Sequence, residues 1–101
     1  MEQALRAIAN PRRRAMLELV WDAERTAGEI AELSGLSAPA TSQHLRVLRE
    51  AGLVTEQRHG TRRVYRVDPN GVGELRSYFD RFWTRALEEF KAEVERREGQ
   101  R

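Results

Sequence analysis

A chain of 101 residues carries 18 lysine and arginine residues against 16 aspartate and glutamate, a formal charge of +2, and no cysteine. That length predicts a single domain, residues 1–101, burying roughly 65% of the surface its unfolded form exposes, so a second surface to pack against would help. The lack of thiols excludes disulfides, thiol redox sensing and thiolate metal sites together.

All but one of the basic residues are arginine, Lys91 being the exception, and arginine suits bidentate contacts with phosphate and guanine. The N-terminal MEQALRAIANP has no apolar h-region, and the apolar stretch from Ala15 to Trp21 is broken by Glu18. The sequence therefore predicts no signal peptide and no membrane span, and a soluble cytoplasmic protein.

Met1 to Ala9, apolar at Leu5, Ile8 and Ala9, predicts a short amphipathic helix. Asn10-Pro11 supplies an N-cap and a first-position proline, starting a second helix that runs to about Ala23. With Met16, Leu17, Leu19 and Val20 it is apolar nearly all round, as a central core helix should be. Thr26 to Glu29 fits a capping box, so a third, short helix begins at Ala27 and carries Ile30 and Leu33 inward. Gly35 marks a sharp turn, Ser37 caps the next start, and Pro39 is tolerated in a first turn whose amides lack partners anyway. That fourth helix runs to about Ala51 and stops at Gly52.

From Leu53 the period falls to two. Leu53 to Gln57 and Arg62 to Val67 predict a β-hairpin with Gly60 at its tip. Asp68-Pro69-Asn70-Gly71 ends it, and a long helix begins at Val72. Its apolar positions Leu75, Phe79, Phe82, Trp83, Ala86, Leu87, Phe90 and Val94 keep helical spacing for over five turns.

On a wheel of about 100° per residue, the fourth helix sorts Thr41, His44, Leu45 and Leu48 to one side and Ala38, Pro39, Ser42, Gln43 and Arg46 to the other. The first set is core and the second faces outward, small at the helix start and longer further along. A short helix joined to such a helix through a glycine turn is the helix-turn-helix arrangement, whose second helix enters the DNA major groove. Charge is distributed to match: Thr41 to Arg66 holds six arginines against two glutamates. Arginines at the hairpin reach phosphate or a narrow minor groove, contacts that hold register and carry little sequence information.

LSGLSAPATSQHLRVLREAGLV followed by RHGTRRVYRV resembles the winged-helix repressors of the ArsR type, whose reading helix follows Ser-x-x-x-x-Ser-x-His-Leu-x-x-Leu-x-x-Ala-Gly-Leu-Val. The likeness covers roughly Leu5 to Trp83. It implies a mainly α fold with a β-hairpin wing, a winged helix-turn-helix in the order α-α-α-α-β-β-α, and a homodimeric bacterial transcription factor, usually a repressor. By position in the motif, Ala38, Pro39, Ser42 and Gln43 face bases with Arg46 assisting, and Arg62 and Arg63 belong to the wing. The first and last helices make the dimer, through Leu5, Ile8, Leu75, Phe79, Phe82, Trp83, Leu87 and Phe90. Many members of that family sense metals through a cysteine pair in the third helix or histidines in the last. Here the third helix reads AGEIAELSG and the last contains no histidine, so the chain resembles the metal-free branch with a Phe82-Trp83 pair.

His44 and His59 are the only histidines, and neither has a second ligand at metal spacing. His44 is read as a packed histidine bonding locally; His59 is either a turn residue or a phosphate contact. Arg12 to Arg14 touch backbone phosphate or are solvated. The aromatic stripe is a dimer interface, its own core or an effector cleft. Ser34, Ser37 and Ser42 lack a base and carboxylate set, so no enzyme is expected, and no cofactor or metal. The expected partners are double-stranded DNA bearing a pseudo-palindromic operator and a second copy; whether an effector joins them, the sequence leaves open. The competing reading is a winged helix used for protein interaction without DNA readout.

Overall fold

The computed structural model describes residues 1–100. Five helices and three short strands follow in the order α1 (Glu2–Ala9), α2 (Pro11–Leu19), β1 (Arg25–Thr26), α3 (Ala27–Ser34), α4 (Ala38–Glu50), β2 (Val54–His59), β3 (Arg62–Val67) and α5 (Pro69–Glu98). The strands form one antiparallel sheet in the order β1-β3-β2, and the whole is the mainly helical winged helix-turn-helix expected. No helix among the described residues is long and apolar enough to cross a membrane.

Local chemistry starts each helix. Asn10 Oδ1 accepts from the Arg12 and Arg13 amides at 2.9 and 3.2 Å. Thr26 Oγ1 accepts from the Glu29 amide at 3.1 Å while the Glu29 carboxylate accepts from the Thr26 amide at 3.2 Å, a closed capping box. Those bonds to Thr26, ahead of the charges of Arg62 and Arg25, hold the Glu29 carboxyl below its ordinary 4.5. Ser37 Oγ accepts from the Ala40 amide at 3.2 Å. Each such cap stabilises its helix by about 1 kcal/mol. Gly35 ends α3 at φ 68°, a left-handed turn that costs a side-chain-bearing residue strain and lets α4 begin three residues later, at Ala38.

The core gathers Met16, Leu17 and Val20 of α2, Ile30 of α3, Leu45 and Leu48 of α4, Leu53 and Val54 at the base of the hairpin, Tyr65 of β3 and Leu75 of α5. Full burial of one such aliphatic side chain is worth about 1.5–3 kcal/mol. Ala4 and Ala7 complete it from α1, while Leu5 and Ile8 are only half-buried against its edge.

Several boundaries differ from the sequence reading. α2 ends at Leu19 rather than Ala23, because the chain must double back so that Arg25 and Thr26 pair with Tyr65 and Val64 of β3. Leu33 is 57% exposed: α3 turns Ile30 into the core, and Leu33 instead lines an open cleft with Arg12, Ala15 and Leu19 of α2 and with Leu36. Arg13 is part-buried and already engaged with backbone. Its Nε donates to the Ala7 carbonyl at 2.8 Å and its Nη2 to the Arg6 carbonyl at 3.1 Å, closing the end of α1. Finally, α5 starts at Pro69 under an Asp68 cap, whose Oδ1 accepts from the Asn70 amide at 3.0 Å; Gly71 is therefore inside the helix.

α5 has 30 residues, about 45 Å of helix, and only Leu75 near its start is buried. From Phe79 onward the helix projects away from the core. The radius of gyration is 18.7 Å and the longest dimension 69 Å, against about 13 Å for a compact chain of this length.

Candidate nucleic-acid interface

α4 divides as its periodicity requires. Thr41, Leu45 and Leu48 are fully buried, and Ala38, Pro39, Ser42, Gln43 and Arg46 are all exposed on the opposite face. His44 departs from the expectation of a core residue: it is only half-buried, at the margin between the two faces. Burial first, then the guanidinium charges of Arg13 and Arg12, hold its imidazole below the ordinary 6.5. The folded protein thus takes up this proton less readily than the unfolded chain, and protonation favours unfolding. Stability is expected to hold above pH 6.5 and to fall as the pH drops from there through the lower folded-state value. Denaturation midpoints against pH check this, and His44→Gln should flatten that acid limb; an unchanged limb in the variant contradicts it.

The wing stands beside α4. Register pairs Val54 with Val67, Glu56 with Tyr65, Arg58 with Arg63 and His59 with Arg62. Because side chains alternate across a strand, the neighbours Arg62 and Arg63 point to opposite faces. Arg63 joins Glu56 and Tyr65 on the face toward α4. There, with Pro39, Ser42, Gln43, Arg46 and Arg49, they line a polar cleft of about 350 Å³. Arg62 and His59 lie on the other face beside Arg66. Arg62 Nη2 is 3.6 Å from Glu29 Oε1, His59 Nε2 is 3.8 Å from Glu24 Oε2, and Arg66 Nη1 is 3.1 Å from Glu24 Oε1. These pairs are solvent-exposed and worth about 0–1 kcal/mol each, so a phosphate can displace their carboxylates.

The structure therefore gathers Pro39, Ser42, Gln43, Arg46 and Arg63 around one cleft, places Ala38 on the same helix start, and sets His59 and Arg62 apart. Sequence reasoning overlooked Arg49, Glu56 and Tyr65. Glu56 Oε2 accepts from the Tyr65 phenol at 3.3 Å and pairs with the Arg49 guanidinium, and Glu56 Oε1 is 3.4 Å from Arg63 Nε. Burial, then the Glu56 charge, push the Tyr65 phenol above its ordinary 10.0, so it remains a hydrogen-bond donor near neutral pH. The signal for this trio was the hairpin register, which puts Glu56 opposite Tyr65 once the strand ends are fixed.

At the other end of the molecule, α5 leaves a row of apolar side chains uncovered. Phe82 is 62% exposed, Trp83 64% and Phe90 68%, with Phe79, Leu87 and Val94 beside them. Leu75, expected in the same interface, is instead buried in the protomer's own core, because the first turns of α5 pack on it before the helix departs.

Comparison with known proteins gives a consistent result. Residues 10–56 match the family described as bacterial regulatory protein, arsR family. The HTH-type transcriptional regulator Rv2034 of Mycobacterium tuberculosis is 48% identical over 86 residues, spanning 85% of this chain and 80% of that protein. The transcriptional repressor SdpR of Bacillus subtilis is 38% identical over 60 residues, 59% of this chain and 67% of that one. Among solved structures, a possible transcriptional regulator for arsenical resistance superposes with a TM-score of 0.75 at 42% identity, covering 92% of this chain and 96% of the other. The homodimeric winged helix-turn-helix DNA-binding domain of Mb0332 from Mycobacterium bovis, a possible ArsR-family regulator, gives 0.69 at 31% identity over 82% and 77%.

Proposed function

The chain belongs to the arsR family of bacterial transcriptional regulators, and from that premise we propose that it is a homodimeric repressor acting in the cytoplasm on a pseudo-palindromic operator. Residues 1–101 act as one winged-helix unit. The observation that carries this reading is the exposed, capped start of α4 beside an arginine-lined wing, on a protomer whose last helix leaves its aromatic face uncovered.

Ala38 and Pro39 are small enough to let the start of α4 approach the floor of the major groove. Ser42 and Gln43 then meet base edges, Arg46 assists, and the wing residues His59, Arg62 and Arg63 hold the backbone. Phe79, Phe82, Trp83, Leu87 and Phe90, with the half-buried Leu5 and Ile8, make the dimer. Half-sites should be centred about 10 base pairs apart or a multiple of that. No step of this role needs a catalytic group or a bound cofactor. With no cysteine in the chain, release from DNA does not run through a thiolate metal site.

Anisotropy titrations at two salt concentrations, on the sequence recovered from a random DNA pool and on random duplex, test the reading. Gln43→Ala should cost about 1–3 kcal/mol on the operator and little on random DNA. Arg62→Ala should weaken both and lower the salt slope by about one unit. Equal losses on both duplexes for Gln43→Ala would remove α4 as the reader. A protein with no salt-dependent binding to either would instead be an interaction module.

A further inference from the structure

Glu56 is an odd residue to find in a cleft meant for a polyanion. Its side chain is 17% exposed, against 42% or more for the acid in every other ion pair described, so it is not an incidental surface charge. It sits on β2, it pairs with Arg49 of α4, and it reaches Arg63 and Tyr65 of β3. One carboxylate thus ties three elements together. If the cleft needed only positive potential, a neutral residue here would serve better, because a carboxylate near a phosphate repels it.

What the carboxylate supplies is order. A free arginine side chain carries about 2 kcal/mol of rotamer entropy, and a contact made by an already fixed side chain avoids that loss on binding. Charge-assisted bonds are strong enough to fix one. The nearest approach of Arg63 to the carboxylate is through Nε, at 3.4 Å from Glu56 Oε1. Arg49, hydrogen-bonded to the carboxylate, and Arg63, ion-paired to it, are in this way held on facing walls of the cleft, and one group links the wing to α4.

We infer that Glu56 is a positioning residue for DNA readout: by clamping Arg49 and Arg63 it holds the wing in register with the reading helix, giving up general attraction to DNA for discrimination of the operator. The inference rests on the DNA-reading role proposed above. It assigns Glu56 no contact with DNA, only an action through the two arginines.

The test compares wild type, Glu56→Gln and Glu56→Asp on operator and random duplex, with hydrogen exchange of the wing amides in the free protein. Glu56→Gln should bind random duplex several-fold tighter at low salt, while the operator-to-random ratio falls about tenfold. Glu56→Asp keeps the charge but is one methylene shorter; its ratio should fall with no gain on random DNA, and it carries the comparison if the glutamine variant fails to fold. In an Arg49→Ala, Arg63→Ala background, Glu56→Gln should change the ratio less than threefold. Wing exchange should quicken in both single variants. A glutamine variant that tightens both duplexes by the same factor would make Glu56 a mere repellent and overturn the inference, as would unchanged wing exchange. Absence of salt-dependent binding in the wild type would defeat the DNA-reading role itself, an outcome separable from these.

Discussion

Trp83→Glu is expected to turn the dimer into a monomer and to cost two or more orders of magnitude in operator affinity. Trp83 stands at 64% exposure between Phe79 and Leu87 on the same helix face, with Phe82 and Phe90 beside it. An exposed apolar patch of this kind marks an interaction surface, and a helix that leaves the core with its aromatic side bare has nothing else to fold against. Buried tryptophans at interface centres typically contribute 2 kcal/mol or more, and a carboxylate in that place adds the cost of an unpaired charge taken from water. The loss on DNA follows from linkage, since two half-sites bound through one dimer gain about 10²–10⁴ over independent binding. Sedimentation at micromolar concentration reads the first effect and anisotropy on full and half operators the second. A Trp83→Glu protein that still sediments as a dimer would show that this face is not the interface.

The second large effect is conformational. Gly71 lies inside α5, where alanine is ordinarily the better helix former by about 1 kcal/mol. Here the sign should reverse. A Cβ built on Gly71 would stand 1.7 Å from the Gly52 carbonyl oxygen and 2.6 Å from its carbon. The obstacle is backbone and cannot rotate aside. That backbone is already held, with the Gly52 amide donating to the Arg49 carbonyl and the Leu53 amide to the Leu48 carbonyl, both at 3.0 Å, and the Asp68 amide to the Leu53 carbonyl at 2.8 Å. Gly71→Ala must push α5 away from the α4–β2 junction and should destabilise the protein by about 3 kcal/mol or more, at the upper end of overpacking costs. Gly73, two residues on, meets nothing within 4 Å, so Gly73→Ala should stabilise by about 0.5–1 kcal/mol. Urea titrations at one fixed protein concentration measure both, since the stability of a dimer depends on concentration. Equal and positive effects at the two sites would show that the close approach of α5 to Gly52 is not maintained in solution.

Helix starts were legible in the sequence because their causes are local. Asn10-Pro11, Thr26 with Glu29, and Ser37 with Pro39 each place an acceptor within three residues of the amides it satisfies, and each cap forms as expected. Asp68-Pro69 carries the same signal as Asn10-Pro11. It lies directly after the hairpin, and the Asn70-Gly71 that follows carries a turn signature of its own, which masks the helix start at Pro69. The outward set of α4 and the burial of Thr41, Leu45 and Leu48 also came from periodicity alone, since a helix with one apolar stripe has only one way to face a core.

What the sequence by itself determined is therefore what acts over a few residues: the caps, the two periods, the faces of α4, and the helical spacing of the aromatic stripe of α5, whose exposure only the fold decided. Only the tertiary structure decided matters settled by distant partners. Pairing with β3 stopped α2 at Leu19, the core drew in Leu75 and left Leu33 out, and His44 came to rest at a margin beside Arg12 and Arg13. Arg13 was drawn to the end of α1, Gly71 was pressed against Gly52, and Glu56 was set between Arg49 and Arg63. The physical reason is the same throughout. Propensity and capping are short-ranged, whereas close packing and charge pairing depend on which segments the fold brings within a few ångströms of each other.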